Sequence, residues 1–234
     1  MRFEKPLLKA RLIRRYKRFL VDVEMDGHDG PVTIHCPNPG AMLGLAEPGF
    51  QVWARPARNP KAKLPYAWEL TELESGLVGI DTGRPNPIAE EAIAAGLIPE
   101  LGGYPELKRE VKYGVNSRID ILLSGGGRPD CYVETKNVHL ERGGWAEFPD
   151  SKTARGAKHL GELADVVDAG GRAVMLYIVQ RADCRGFRLA EDIDPAYAAA
   201  YRAARARGVE SLCYDCAVTM DGVDLRRPLE IAIP

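Results

Sequence analysis

Three charged side chains in one short stretch carry the strongest chemical signal in this chain. Residues 117–138 read SRIDILLSGGGRPDCYVETKNV, with Asp120 in one apolar run and Glu134 and Lys136 in the next. Side chains of an extended strand alternate faces, so Glu134 and Lys136 point the same way. A hairpin through Gly125–Gly127 would bring Asp120 beside them. Charges on a sheet are costly to bury unless they pair with each other or ligate a cation. Carboxylate oxygens suit Mg²⁺ or Mn²⁺. Such an ion can polarise a phosphate and help generate hydroxide, and an ammonium can orient water or offset charge on phosphorus. Asp120, Glu134 and Lys136 are therefore the candidate catalytic residues, with Asp120 and Glu134 as metal ligands. The competing reading is a surface salt bridge.

The elements that must position this group fall into two parts. Up to residue 83 the chain reads as all-β: short strands are separated by turn signals such as Asp26-Gly27 and Asp29-Gly30, and no strong helix intervenes. That spacing predicts a small barrel. Composition changes at TGRPNP, Thr82–Pro87, which places a domain boundary there: 1–83, then 84–234. Asn86-Pro87 reads as an N-cap followed by a first-turn proline, opening a short helix to Ala95. Extended segments follow at Leu107–Tyr113, Ile119–Leu123 and Cys131–Val138. Asp150 would cap a longer helix in which Leu160, Leu163, Ala164 and Val167 recur at helical spacing. AVMLYIVQ reads as a strand buried on both faces, and Asp194-Pro195 opens a further helix. The second part is therefore α/β with a mixed sheet.

Helix, strand with Asp, strand with Glu-x-Lys is the order of the PD-(D/E)xK nucleases. The preceding helix offers Glu90 or Glu91 as an extra carboxylate, and Glu91, one turn from Ile88, is the expected third metal ligand. Two basic clusters could follow phosphates. Arg11, Arg14, Arg15, Lys17 and Arg18 interleave with Tyr16 and Phe19, as cations and stacking rings do on a nucleic-acid-binding barrel; a charge-protected strand edge is the alternative. Lys152, Arg155 and His159 share a helix face, with Lys158 beside them, and an ordinary solvated face is the competing reading. Arg55, Arg58, Lys61 and Lys63 could extend the first surface. Trp53, Tyr66 and Trp68 are either stacking platforms or core. Cys213-x-x-Cys216 lacks the further ligands of a zinc site and reads as buried cysteines. Gly125–Gly127 lacks the helix and lysine of a phosphate loop and is a hairpin tip.

Across nearly the whole length the sequence resembles the sugar fermentation stimulation protein A family. The matching stretches are HCPNPGAMLGL, KLPYAWEL, TGRPNPIAEEAI, REVKYGVNSRIDILL, CYVETKNVHL, FPDSKTARGAKHL and AVMLYIVQR, in that order. The resemblance implies an OB-fold followed by a PD-(D/E)xK-like, restriction-endonuclease-like domain. It also implies DNA binding, and a description as a regulator of sugar (maltose) metabolism genes. The chain departs from the family loop at Pro39 and Ala41.

Two functions compete. One is hydrolysis of nucleic-acid phosphodiesters with Mg²⁺ or Mn²⁺, using Arg11, Arg14, Arg15, Arg18, Lys152 and Arg155 to hold the substrate. The other is a DNA-binding regulator that uses the same scaffold without cutting. A sugar sensor has no pocket motif behind it. The formal charge of the 234 residues is −1, so any nucleic-acid site must come from local clustering. Five scattered cysteines do not make a secreted disulfide framework. No apolar run could span a bilayer. A cytoplasmic protein is expected, with nucleic acid as partner, DNA first, no membrane, and a homodimer left open.

Overall fold

The computed structural model describes residues 1–57, 59, 61–114 and 117–232. Arg58, expected in the second basic loop, lies outside the described residues. The N-terminal part is a closed, OB-like barrel. Its strands are β1 (Leu8–Tyr16), β2 (Leu20–Met25), β3 (Val32–His35), β4 (Gln51–Pro56) and β5 (Tyr66–Leu73), and β6 (Gly76–Gly79) extends β5 as a hairpin. The order is β3-β2-β1-β4-β5-β6, and a β3–β5 pairing closes the ring. Alternation supplies the filling: Leu12, Val21, Val23, Ile34, Val52 and Trp68 are buried inside. Trp68 is thereby core and not a stacking platform, and its Nε1 donates to the Leu70 carbonyl at 3.0 Å.

The second part opens with α1 (Pro85–Ala94). Its large sheet contains β7 (Glu106–Tyr113), β8 (Ser117–Ser124), β9 (Cys131–Val138), β12 (Arg172–Val179), β14 (Glu210–Val218) and β15 (Val223–Pro228), in the order β15-β14-β12-β9-β8-β7. β12 runs parallel to both β9 and β14. Its Val174, Leu176 and Ile178 pack with Ile88 and Ala92 of α1. Its Met175, Tyr177 and Val179 pack on the other face with α2 (Ala154–Asp168) and α3 (Pro195–Ala206). Helices on both faces are why this strand is apolar throughout. A smaller sheet, β10-β11-β13-β16, joins Leu140–Arg142, Trp145–Phe148, Gly186–Leu189 and Glu230–Ala232. Cys213 and Cys216 are buried free thiols, like the other three cysteines. Among the described residues no helix is long and apolar enough to cross a membrane.

The two parts meet through backbone and buried polar groups. Gly79 N donates to the Gln180 carbonyl at 2.8 Å, and a Cβ on Gly79 would crowd the Gln180 side chain. Asn38 of the barrel donates to the Ile80 carbonyl at 2.8 Å and lies 3.5 Å from His139 Nδ1. Asp150 was expected to cap α2. Thr153 does so instead, its hydroxyl accepting from Gly156 N at 3.1 Å. Asp150 reaches back to the barrel: Oδ2 accepts from Met42 N and from His139 Nε2, both at 3.1 Å. A Cβ on Gly40 would overlap this carboxylate.

Burial pushes the Asp150 carboxyl up, but the His139 hydrogen bond and charge more than reverse this, leaving it below its ordinary 3.8. A depressed carboxyl stabilises the fold above the ordinary value, and that contribution is lost as pH falls through the folded value. Wild type is therefore expected to resist urea better than Asp150→Asn at about pH 6. The gap should close as the pH is taken below 3.8. A gap independent of pH would mean the charge on Asp150 does no stabilising.

Candidate active site

The β8–β9 ladder runs through Leu123–Cys131, Leu122–Tyr132 and Ile121–Val133, then stops. Asp120 and Glu134 stand just past its end. There Thr135 N, which would otherwise look for a ladder partner, donates to Asp120 Oδ2 at 2.8 Å. Asn86 Nδ2 holds the other oxygen, Asp120 Oδ1, at 2.8 Å, and the Thr135 hydroxyl bridges Asn86 and Asp120. Both Asp120 oxygens are thus fixed in direction by neutral donors.

Glu134 is only 3% exposed. Its Oε1 accepts from Lys136 Nζ at 2.5 Å and from His159 Nδ1. Arginine can only donate, so the 3.3 Å contact from Arg155 Nε makes His159 Nε2 an acceptor and leaves the ring proton on Nδ1. Burial pushes the Glu134 carboxyl up; the His159 hydrogen bond and the Lys136 charge more than offset it, so the group is held below the ordinary carboxylate range. Its second oxygen, Oε2, is buried with no hydrogen-bond partner among the described residues. A buried carboxylate oxygen left unpaired is costly and calls for a ligand.

Asp120, Glu134 and Lys136 line one cavity of about 230 Å³, together with Asn86, Thr135, Arg155 and His159. An adjoining cleft of about 400 Å³ shares Lys136 and Arg155 and adds Lys152, and it reaches the barrel at Arg18, Asn38 and Gly40.

Several expected residues sit elsewhere. Glu91 does not join the carboxylates. Its side chain is 61% exposed and Oε2 takes the Met1 amino group at 2.6 Å. The buried face of α1 is Ile88, Ala89 and Ala92, which turns Glu91 away. Glu90 pairs with Arg109 at 3.1 Å. The α1 contribution is Asn86, which was expected to cap the helix. The basic run of β1 also divides. Arg11 donates to the Gly49 carbonyl at 3.1 Å, and Arg14 pairs with Asp22 at 2.8 Å. Arg15 donates to the carbonyls of Arg18, Asn38, Gly40 and Ala41. Arg55 is committed to a buried pair with Glu69 at 2.7 Å. Arg18, Lys152 and Arg155 are the expected cations that border the cleft.

A family model described as "Sugar fermentation stimulation protein RE domain" matches residues 83–222, and one described as "SfsA N-terminal OB domain" matches 13–80. The chain is 59% identical over 230 residues to a sugar fermentation stimulation protein homolog of Paramagnetospirillum magneticum, covering 98% of this chain and 97% of the relative. The chain belongs to the sugar fermentation stimulation protein family. A second such homolog, of Dinoroseobacter shibae, is 56% identical over 233 residues, covering 99% and 96%. The solved structure of Pyrococcus furiosus SfsA, in complex with Ca²⁺, superposes with a TM-score of 0.90 at 27% identity, over 100% of this chain and 98% of that one.

In this member of the family, Asn86, Thr135 and His159 join the site without having been among the expected catalytic or metal-binding residues. His159 carried a signal, lying at helical spacing from Lys152 and Arg155. Asn86 and Thr135 carried a different one: each is a short polar side chain beside a candidate ligand or helix start. Among the described residues no group of three or more His, Cys, Asp and Glu is arranged to hold a metal.

Proposed function

We propose that this protein hydrolyses phosphodiester bonds in nucleic acid, DNA first, with a divalent cation held by Asp120 and Glu134. The observation that carries the reading is Glu134 Oε2, buried, unpartnered, and belonging to a side chain that lines a cavity with Asp120 and Lys136. Two oxygen-donor carboxylates fit a hard cation such as Mg²⁺ or Mn²⁺. The Ca²⁺ complex of the Pyrococcus furiosus relative supports that donor chemistry, since Ca²⁺ also takes oxygen ligands. When bound, the cation supplies Lewis-acid polarisation of a phosphate oxygen and a lowered water pKa.

The chain's own groups do the rest. Asn86 and Thr135 hold the Asp120 carboxylate in one direction. His159 and Lys136 both take Glu134 Oε1, which leaves Oε2 for the cation. Lys136, 14% exposed at its side chain, supplies a positive charge beside the carboxylates. It orients the attacking water or offsets charge developing on phosphorus. Arg155 and Lys152 draw the phosphate backbone toward this point.

The relatives are named for stimulating sugar fermentation, and a second reading that suits such a role is a DNA-binding regulator of sugar (maltose) metabolism genes that does not cut. One assay separates the two. End-labelled single-stranded and duplex substrates are incubated with Mg²⁺, Mn²⁺ or EDTA. Hydrolysis predicts cleavage with either ion and none with EDTA. Intact substrate with both ions, alongside salt-sensitive binding, would replace this proposal with the regulator.

A further inference from the structure

The cleft beside the carboxylates has one wall from each domain. The α/β side offers Lys136, Lys152 and Arg155; the barrel side offers Arg18 and the loop from Asn38 to Gly40. The hairpin tip that carries Arg18 is strained. Lys17 and Arg18 lie at φ +49° and +63°, the left-handed region where turns normally place Gly or Asn. Two cations there gain nothing for the turn, and residues held in such conformations cluster at functional sites. The side chain of Arg15 braces the arrangement. It donates to the Arg18 carbonyl at 3.0 Å and to those of Asn38 and Gly40 at 2.8 Å, so tip and loop are fixed together. Asp150 then fixes the same loop to the second domain through Met42 N.

That bracing leaves the Arg18 head unused. Among the described residues, neither the Arg18 guanidinium nor the Lys152 ammonium has an ion-pair or hydrogen-bond partner, whereas Arg11, Arg14 and Arg15 all have one. Phe19, next to Arg18, is 46% exposed and lies against His35 with near-parallel rings 6.3 Å apart. Cations along a groove together with exposed rings are how single strands are held, and Phe19 directly follows Arg18, which lines this one. The space points the same way. Cavities of about 230 and 400 Å³ are small-molecule sized and admit about two nucleotides of one backbone.

Resting on the hydrolytic reading, we infer that the substrate is a single nucleic-acid strand gripped by both domains at once. Its reacting phosphate lies at Asp120 and Glu134, a phosphate further along lies on Arg18 and Lys152, and a base rests on Phe19. The barrel is thus part of the active cleft and not a separate tether.

Fluorescence anisotropy with the full chain, in EDTA, tests this. The probes are an oligothymidylate of about 16 nucleotides and a blunt duplex of the same length. The single strand should bind at least about tenfold more tightly than the duplex. Arg18→Ala should weaken strand binding several-fold and reduce the slope of log affinity against log salt by about 0.7. Arg18→Glu should weaken it further, and Phe19→Ala should weaken it without changing the slope. Equal affinity for the duplex, or strand binding by Arg18→Glu at the wild-type level, overturns the inference. Cleavage is scored separately. Hydrolysis that survives Arg18→Glu unchanged removes the two-domain grip and keeps the nuclease. Wild type that binds as described yet never cuts removes the nuclease and keeps the grip.

Discussion

Glu134→Ala is expected to lower Mg²⁺- or Mn²⁺-dependent cleavage by about 10³-fold or more, while strand affinity changes by no more than about threefold. The asymmetry follows from charge. Glu134 places a negative group in a site that must receive a phosphate, so its removal takes away a repulsion as well as a cation ligand. Alanine also strands two donors, His159 Nδ1–H and Lys136 Nζ, around a 3%-exposed position. Some stability is lost with them. Glu134→Gln is the cleaner companion, since its amide oxygen can still accept and its volume is unchanged. It should fold like wild type and fail to cut, because with its oxygen held by His159 and Lys136 the amide turns an NH2 group, which cannot ligate a cation, to the Oε2 position. Single-turnover cleavage together with anisotropy reads both quantities. Full activity in Glu134→Gln would remove this carboxylate from the chemistry.

Much of this was readable in the sequence where the governing interactions are local. Alternation alone puts Glu134 and Lys136 on one face of β9, and they meet at 2.5 Å. A strand with helices on both sides must be apolar throughout, and AVMLYIV is. Asp194 caps α3 as its place before Pro195 suggests, accepting from Tyr197 N at 3.0 Å. What local patterns miss is competition from distant partners. Asp150 stands where a cap would, but Met42, 108 positions earlier, claims its oxygen. Asn86 reads as a cap but finds Asp120, 34 positions later. Arg15 looks like a phosphate contact until the carbonyls of the Asn38–Ala41 loop are folded beside it. Glu91 fails for a geometric reason. Helical spacing from Ile88 fixes a face only to within one residue, and the first turn of α1 begins at Pro85, ahead of the expected Pro87. The small sheet of β10, β11, β13 and β16 left little trace, since its strands are 3 or 4 residues long.

Glu69→Ala is expected to be the most destabilising single change in the barrel, by about 3–5 kcal/mol. Glu69 lies on β5 at 1% exposure, and three donors converge on it: Arg84 Nε at 2.5 Å, Arg84 Nη2 at 2.7 Å and Arg55 Nε at 2.7 Å. Arg84 is nearly as buried, so alanine would leave a guanidinium out of water without its two hydrogen-bonded partner oxygens, and Asp81 at 3.6 Å and the charge of Glu4 offset this only in part. The cost of an orphaned buried charge far exceeds the worth of an exposed pair. Urea unfolding reads the loss directly, and the double variant Glu69→Leu with Arg84→Met should recover much of it, because two apolar groups need no partners. The same contact carries a functional consequence. Arg84 is the residue before α1, and Asn86, two positions on, holds Asp120. Glu69→Ala should therefore slow cleavage even at temperatures where it remains folded, through Asn86 and not through any contact with substrate. A Glu69→Ala protein as stable as wild type would mean the barrel and α1 are not coupled through this pair. One that is destabilised yet cleaves at the full rate would mean Asn86 keeps its place without Arg84 to anchor the turn.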